Sequence, residues 1–134
     1  MVPQPLFYMR GWVYLVKFPS DESPGQLINK YALCLQEGRL LQNRTSFVGV
    51  LLPTCKTNEP PRVPPWKVYV SPAESRTEFG VLVDCGQMYT FPMGDVIDTA
   101  YTATSDTMEK VNQGLLFGVG ILKVEDLKRK QDKK

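Results

Sequence analysis

The residues whose side chains are best suited to chemistry follow an apolar run near the middle of the chain. Leu51–Thr57 reads LLPTCKT, so two leucines and a proline lead into a hydroxyl, a thiol and an ammonium group. The proline ends a strand because it cannot donate to the hydrogen-bond ladder. Two interpretations stay open: the polar residues are the solvated end of a buried strand, or they are presented to a substrate.

The chain contains no histidine among its 134 residues. This excludes Ser-His-Asp and Cys-His nucleophiles, histidine acid–base pairs and histidine metal sites. Cys34, Cys55 and Cys85 are an odd number of cysteines without a CxxC spacing, which predicts neither a disulfide framework nor a zinc site. We therefore expect no metal and no cofactor, and any chemistry must depend mainly on cations and hydroxyl groups.

The net charge of +2 is unevenly distributed along the chain. Residues 30–67 contain six basic and two acidic side chains, whereas residues 74–109 contain seven acidic side chains and one basic one. The basic half could hold an anionic ligand, or it could be ordinary solvated surface.

Length and hydropathy predict one domain. A hydrophobic content of 43% is enough for a single core. We expect this domain to span residues 1–122, followed by a charged tail over 123–134. No stretch approaches the ~20 apolar residues of a membrane span, and residues 1–10 do not have the pattern of a signal peptide. We therefore expect a cytoplasmic protein that does not contact membranes.

Short apolar and β-branched segments predict five or six strands. These are Arg10–Phe18, Lys30–Gln36, Ser46–Leu52, Lys67–Val70 and Gly80–Asp84, with Gln87–Phe91 as a continuation of the last after a kink at Gly86. The segment over residues 53–66 holds five prolines and is predicted to be extended.

The hydrophobic period then changes to that of a helix. Ser105 or Asp106 can cap it, and apolar side chains recur at three- and four-residue spacing. They are Met108, Val111 and Leu115, and Gly118 and Gly120 end the pattern. The sequence thus predicts a mostly β fold, a small antiparallel barrel with a packed C-terminal helix.

Five segments, taken in order, resemble the MazF/PemK toxins over about residues 10–122. They are GWVYLVKFP (11–19), NKYALCLQ (29–36), LLPTCKT (51–57), GVLVDCGQMYTF (80–91) and TSDTMEKVNQGLLFGVGI (104–121). The resemblance implies an SH3-like barrel that forms a homodimer and cleaves single-stranded RNA at a specific sequence without a metal. It also implies a cognate antitoxin protein as partner.

In that family the usual catalytic pair is an arginine that begins the second strand and a threonine that ends the third. These positions correspond here to Lys30 and Thr54. The arginine has therefore become a lysine, the following proline has become Tyr31, and a later arginine has become Tyr89. Because a single ammonium cannot form the planar fork of a guanidinium, we expect slower cleavage than in an arginine-bearing relative, or none.

Five further residues are candidates for RNA binding. Lys56 and Arg44 could contact phosphates, and Gln87 and Tyr89 could read or stack a base. Thr90 is the matched neighbour of these two in the family segment.

The alternative is a binding protein on the same scaffold that cleaves nothing. It would be either a gyrase poison like the CcdB toxins, which act through the end of their last helix, or a degenerate relative.

Overall fold

The computed structural model describes residues 7–121, which form a five-stranded and a two-stranded antiparallel sheet with a C-terminal helix. The strands are β1 (Trp12–Pro19), β2 (Leu27–Cys34), β3 (Ser46–Leu51), β4 (Lys67–Val70), β5 (Val81–Asp84), β6 (Met88–Pro92) and β7 (Val96–Thr102). The helices are α1 (Gly38–Leu41), α2 (Pro72–Ser75) and α3 (Ser105–Gly118), with a 3-10 turn at Met93–Asp95. The predicted charged tail, 123–134, lies outside the described residues.

The larger sheet has the strand order β6-β3-β2-β1-β7 and buries apolar side chains on both of its faces. Strand β1 shows how the alternation predicted from sequence achieves this. Val13 packs on the side of β4, β5 and α3, whereas Tyr14 and Val16 pack on the opposite side with Phe47. Because successive side chains of a strand point to opposite faces, one strand contributes to two clusters of the core.

The two sheets are joined at the end of β3. Leu52 still donates its N–H to a carbonyl of β2, but the carbonyl of Pro53 accepts from Leu82 of β5 at 2.9 Å. Thr54 then pairs with Val81 as an isolated bridge. The chain thus changes partner at the proline, and this exchange closes the sheets into the predicted barrel.

Four strands lie within a residue or two of their predicted bounds, and two predictions need correction. Strand β2 begins at Leu27, so Lys30 is its fourth residue rather than its first. The segment after Gly86 does not continue β5 but forms β6, which pairs with β3 in the other sheet. Strand β7 and the one-turn helices α1 and α2 were not predicted.

The predicted C-terminal helix is present, but its cap is neither Ser105 nor Asp106. The N-cap is Thr104, whose side-chain oxygen accepts from the N–H of Thr107. The carboxylate of Glu74, on α2, accepts from the Thr104 N–H and from both threonine hydroxyls at 2.9–3.3 Å. None of the helices in residues 7–121 has the length and apolar character needed to cross a bilayer.

Glu74 should stabilise the fold through this contact with the start of α3. Its charge also lies at the positive end of the helix dipole. We expect Glu74→Ala to lower the free energy of unfolding by about 2 kcal/mol, because three hydrogen bonds to a charged group are lost from a partly exposed site. The matching fall in Tm, on the order of 5 °C, can be followed by circular dichroism. Glu59→Ala, in an exposed loop, is the control, and an equal Tm for both variants would contradict the assignment.

Candidate active site

A pocket of about 510 Å³ opens where β2, the end of β3 and the start of β6 come together. Of the residues singled out in the sequence, five line it: Lys30, Thr54, Lys56, Gln87 and Tyr89. They come from three segments that are far apart in the chain. These segments lie side by side because β2 and β6, the two strands whose predictions needed correction, both pair with β3.

Lys30 lies in β2 opposite Val16 of β1, and it is half-buried. Its ammonium lies 5.1 Å from the centroid of the Phe18 ring, within the range of a cation–π interaction. Phe18 in turn meets Tyr89 edge-to-face, with ring centroids 5.2 Å apart. The positive charge of Lys30 is therefore held against the Phe18 ring, which packs in turn against the pocket residue Tyr89.

Thr54 reaches the pocket because of the change of partner at Pro53. The N–H of Leu52 donates to the Tyr31 carbonyl at 2.9 Å, so the next two residues of the chain pass beside Lys30. The backbone of Thr54 is fixed by its bridge to Val81, yet the residue itself is exposed. A hydroxyl on a fixed backbone and open to solvent is well placed to donate to a bound anion.

Gln87 and Tyr89 line the pocket from the start of β6. The Tyr89 hydroxyl donates to the Oε1 atom of Gln87 at 2.9 Å. This bond leaves the amide NH₂ group of Gln87 as a donor for a ligand. The tyrosine ring is half-buried, packed against Phe18 and Phe91. Such a ring and amide together can stack on a base and read its edge.

Two predicted RNA contacts lie away from this pocket. Arg44 precedes β3 whereas Thr54 follows it, and the six residues of that strand separate them by about 17 Å. Thr90 is paired with Val48 and, by strand alternation, points away from the face on which Tyr89 lies. Neither residue is among those that line the pocket.

Three further polar residues line the pocket: Asn29, Asp84 and Tyr31, which stands where the family has a proline. Asp84 is the last residue of β5, and its Oδ1 atom accepts from the N–H of Gly86 at 3.0 Å. This bond shapes the turn that leads to β6. The bond occupies one of the two carboxylate oxygens of Asp84. The side chain of Asp84 lines the same pocket as Lys30 and Lys56. From the sequence alone Asp84 is interpreted as a structural hydrogen-bond acceptor rather than a base, and its bond to Gly86 is of that kind.

All three cysteines are free thiols, but only Cys55 is partly exposed. Burial raises the pKa of Cys85 to about 11, and burial also raises the pKa of Cys34 and of Cys55. A higher pKa means less of the reactive thiolate at neutral pH. Within residues 7–121, no three cysteine or acidic side chains come together as metal ligands would.

We therefore expect one reactive thiol in the native protein and three after denaturation. Titration with a disulfide reagent at pH 7.5 should modify Cys55 slowly. The rate should rise as the pH passes above 9, because the raised pKa delays formation of the thiolate. Cys55→Ser should remove the reaction from the native protein. Two or more thiols that react quickly in the native wild type would contradict the buried positions of Cys34 and Cys85.

Comparison with solved structures relates this arrangement to known proteins. An endoribonuclease from a mycobacterial species superimposes with a TM-score of 0.66 at 21% sequence identity, covering 86% of this chain and 93% of that one. The MazE–MazF structure from Deinococcus radiodurans gives a TM-score of 0.67 at 14% identity, covering 88% of this chain and all of that one. The chain has the fold of the MazF toxins. No protein-family model matches the chain, and no curated protein does either.

The MazF fold was implied by the order of five segments, and the structural comparison confirms it. A second mycobacterial endoribonuclease, in complex with its cognate antitoxin, has a TM-score of 0.66 at 22% identity and covers 86% of this chain and 97% of that one. These likenesses extend over nearly the whole length of the MazF structures. The likeness is one of fold, at sequence identities of 14–22%.

Proposed function

We propose that the protein is a MazF-type toxin that cleaves single-stranded RNA at a specific sequence without a metal ion. The observation that carries this proposal is the meeting of Lys30, Thr54 and Lys56 with Gln87 and Tyr89 in one pocket. Two cations and a hydroxyl can hold a phosphate there, while an amide and an aromatic ring can hold a base. The volume of about 510 Å³ falls in the range of roughly 300–1,000 Å³ that is typical of ligand pockets.

In the proposed reaction the 2′-hydroxyl of the RNA attacks the adjacent phosphorus, and the bond to the 5′-oxygen of the next nucleotide breaks. The products are a 2′,3′-cyclic phosphate and a free 5′-hydroxyl. Negative charge grows on the non-bridging phosphate oxygens, and Lys30 and Thr54 stabilise it as donors. Preorganised donors of this kind commonly supply the largest part of a rate enhancement.

The reaction also requires a proton acceptor and a proton donor. We assign the acceptor to Asp84, the carboxylate that lines the pocket, and its Oδ1–Gly86 hydrogen bond holds it in place. The leaving 5′-oxygen takes a proton from one of the two lysine ammonium groups of the pocket. Asp84→Asn separates the two roles of this residue, because an amide oxygen can still accept from Gly86 but is not a base at neutral pH.

We also propose that the protein acts in the cytoplasm as a homodimer and is held inactive by a cognate antitoxin. Several large apolar side chains are exposed, among them Leu27 at 60% and Ile121 at 68%, and a protein partner could cover them. Two of the structures that share the fold are toxin–antitoxin complexes. Light scattering at micromolar concentration should give twice the mass of one chain.

The proposal is tested by incubating the purified protein with a long unstructured RNA and excess chelator. Wild type should cut at a short recurring sequence and leave cyclic phosphate ends. Lys30→Ala, Thr54→Ala and Asp84→Asn should each cut at least 100-fold more slowly, with an unchanged Tm. Arg39→Ala, on α1 at the far end of the sheet, is the control for loss of a cation.

Two results would overturn the nuclease proposal. If the RNA stays intact at high protein concentration, the chain is a binding protein. If chelator alone stops the cleavage, the reaction depends on a metal ion and not on the groups assigned here. A growth arrest that persists in Lys30→Ala but is lost on truncation before Gly118 would favour the gyrase-poison alternative instead.

A further inference from the structure

A second pocket, of about 520 Å³, lies directly beside the first. The two share Tyr31, Thr54 and Lys56, which form the wall between them. The far side of the second pocket is formed by residues 76–79, the segment that links α2 to β5. A ligand bound at Lys30 and Thr54 can therefore continue past Lys56 into this second space.

Arg76 stands in the second pocket with an unusual backbone. Its φ and ψ angles are 59° and 31°, the left-handed region, and among the described residues it is the only one other than glycine with a positive φ. It ends α2, and its N–H donates to the Pro72 carbonyl at 2.8 Å. Glycine is the residue that normally takes this position, because it does so without steric cost. An arginine kept in a strained backbone indicates that its side chain has a role.

The side chains around Arg76 fit one nucleotide of a single strand. Lys56 and Arg76 supply two cations, and Tyr31 and Phe79 are half-buried aromatic residues. Cations combined with aromatic faces are the usual means of binding single-stranded nucleic acid. The one ion pair within residues 7–121 joins Lys110 to Asp106. Neither cation of this pocket is therefore neutralised by a salt bridge to a described carboxylate.

Glu78 also lines the second pocket, and its carboxylate would repel a phosphate. A carboxylate is, however, a good acceptor for the amino group of a base or for a ribose hydroxyl. The phosphate is therefore expected beside Lys56 and Arg76, and the base or sugar beside Glu78.

We propose that this second pocket is a subsite for the nucleotide adjacent to the cleaved pair, with Arg76 as its phosphate contact. The inference rests on the proposed RNA substrate but concerns a different part of it. It predicts that RNA extended past the cut site on one side binds more tightly than RNA that ends there. It also predicts that this gain depends on Arg76.

The test measures binding by fluorescence anisotropy, with RNAs that carry a 2′-deoxy sugar at the cut position and so cannot be cleaved. One RNA spans only the cut site, and two others extend it on the 5′ or the 3′ side. Arg76→Glu should lower affinity about ten-fold for one extended RNA and little for the short one. Removing one phosphate contact should also reduce the salt dependence, the slope of log K against log salt, by about 0.7.

Arg76→Gly distinguishes a binding role from a structural one. Glycine relieves the backbone strain, so this variant should have a higher Tm than wild type and still lose the gain in affinity from the extension. Arg39→Glu makes the same charge change on α1, outside both pockets, and should leave the length dependence intact.

The outcomes separate this inference from the nuclease proposal. If wild type cleaves RNA but the Arg76 variants keep the full gain from extension, the subsite is wrong and the nuclease stands. If no RNA is cut, the same binding series is measured with unstructured RNA of mixed sequence. If that RNA does not bind, both the nuclease proposal and the subsite proposal are overturned. If Arg76→Glu lowers the affinity for a polyglutamate peptide and for RNAs of every length by the same factor, the pocket is a general anion site. The subsite proposal is then also overturned.

Discussion

Lys30→Arg should increase kcat for RNA cleavage by about ten-fold, whereas Lys30→Ala should reduce it to the background rate. The expected gain follows from the geometry of the two cations. An ammonium makes single contacts, but a guanidinium can donate two parallel hydrogen bonds to the oxygens of a phosphate. One additional charge-assisted bond is worth about 1.5–3 kcal/mol, and ~1.4 kcal/mol lowers a barrier enough for a ten-fold change in rate.

The pocket can accept the larger group because of the aromatic surface on which Lys30 lies. Its ammonium is 5.1 Å from the centre of the Phe18 ring. Guanidinium groups stack on aromatic faces more readily than ammonium groups do. An arginine at this position therefore keeps the contact that directs its charge into the pocket, and we expect no loss of stability.

Lys17→Arg is the matched control, since Lys17 lies on the neighbouring strand, is exposed and does not line the pocket. It should leave kcat unchanged. If Lys30→Arg and Lys17→Arg behave alike while Lys30→Ala is inactive, the side chain acts by charge alone and the two-bond argument is wrong. If Lys30→Ala cleaves as fast as wild type, Lys30 has no part in the reaction.

The strands with strong apolar alternation could be predicted from the sequence. Strand β3 was found to within one residue, because its continuous apolar run is buried on both faces and ends at Pro53. Strand β7 was missed. It is an edge strand with two register shifts against β1, and its adjacent residues Ile97 and Asp98 are both exposed. Its pattern therefore does not alternate, and only pairing with β1 makes it a strand.

The start of α3 shows a second limit of sequence patterns. Thr104, Ser105 and Asp106 are all suitable caps, and the local pattern favoured the two that the structure does not use. Glu74 reaches the helix from a segment 30 residues away and binds the hydroxyl of Thr104. The choice of cap is thus associated with a tertiary contact, which no local pattern contains.

The two pockets were predictable to different degrees. Lys30 and Thr54 were identified through the order of the family segments, and the pairing of β2 with β3 brings them together. Asp84 was interpreted as a structural residue, and Arg76 was not singled out. Asp84 enters the first pocket because the chain passes from one sheet to the other after β5. Arg76 enters the second because the α2 connection folds back beside Lys56. Both placements depend on how the sheets are joined, which the sequence did not indicate.

Gly118→Ala should lower both stability and RNA cleavage, because α3 lies against the turn between β5 and β6. A Cβ atom at Gly118 would stand 2.0 Å from the Cys85 carbonyl oxygen and 3.2 Å from the Gly86 nitrogen. Alanine favours a helix over glycine by about 1 kcal/mol. Overlap with backbone that cannot rotate away costs about 1–3 kcal/mol, and more when the overlap is this severe. The overlap therefore dominates, and we expect Tm to fall by roughly 5–10 °C.

The functional consequence follows from what the turn holds. Asp84 precedes it and Gln87 follows it, and both line the first pocket, so a displaced turn should reduce kcat even at temperatures where the protein remains folded. Gly94→Ala is the matched control, since a Cβ there meets no atom within 4 Å and the backbone is not in the left-handed region. It should change neither Tm nor cleavage. If Gly118→Ala has the Tm of wild type, the last turn of α3 is not packed closely against the barrel. If Tm falls but cleavage below the transition is unchanged, the turn is not what positions Asp84 and Gln87.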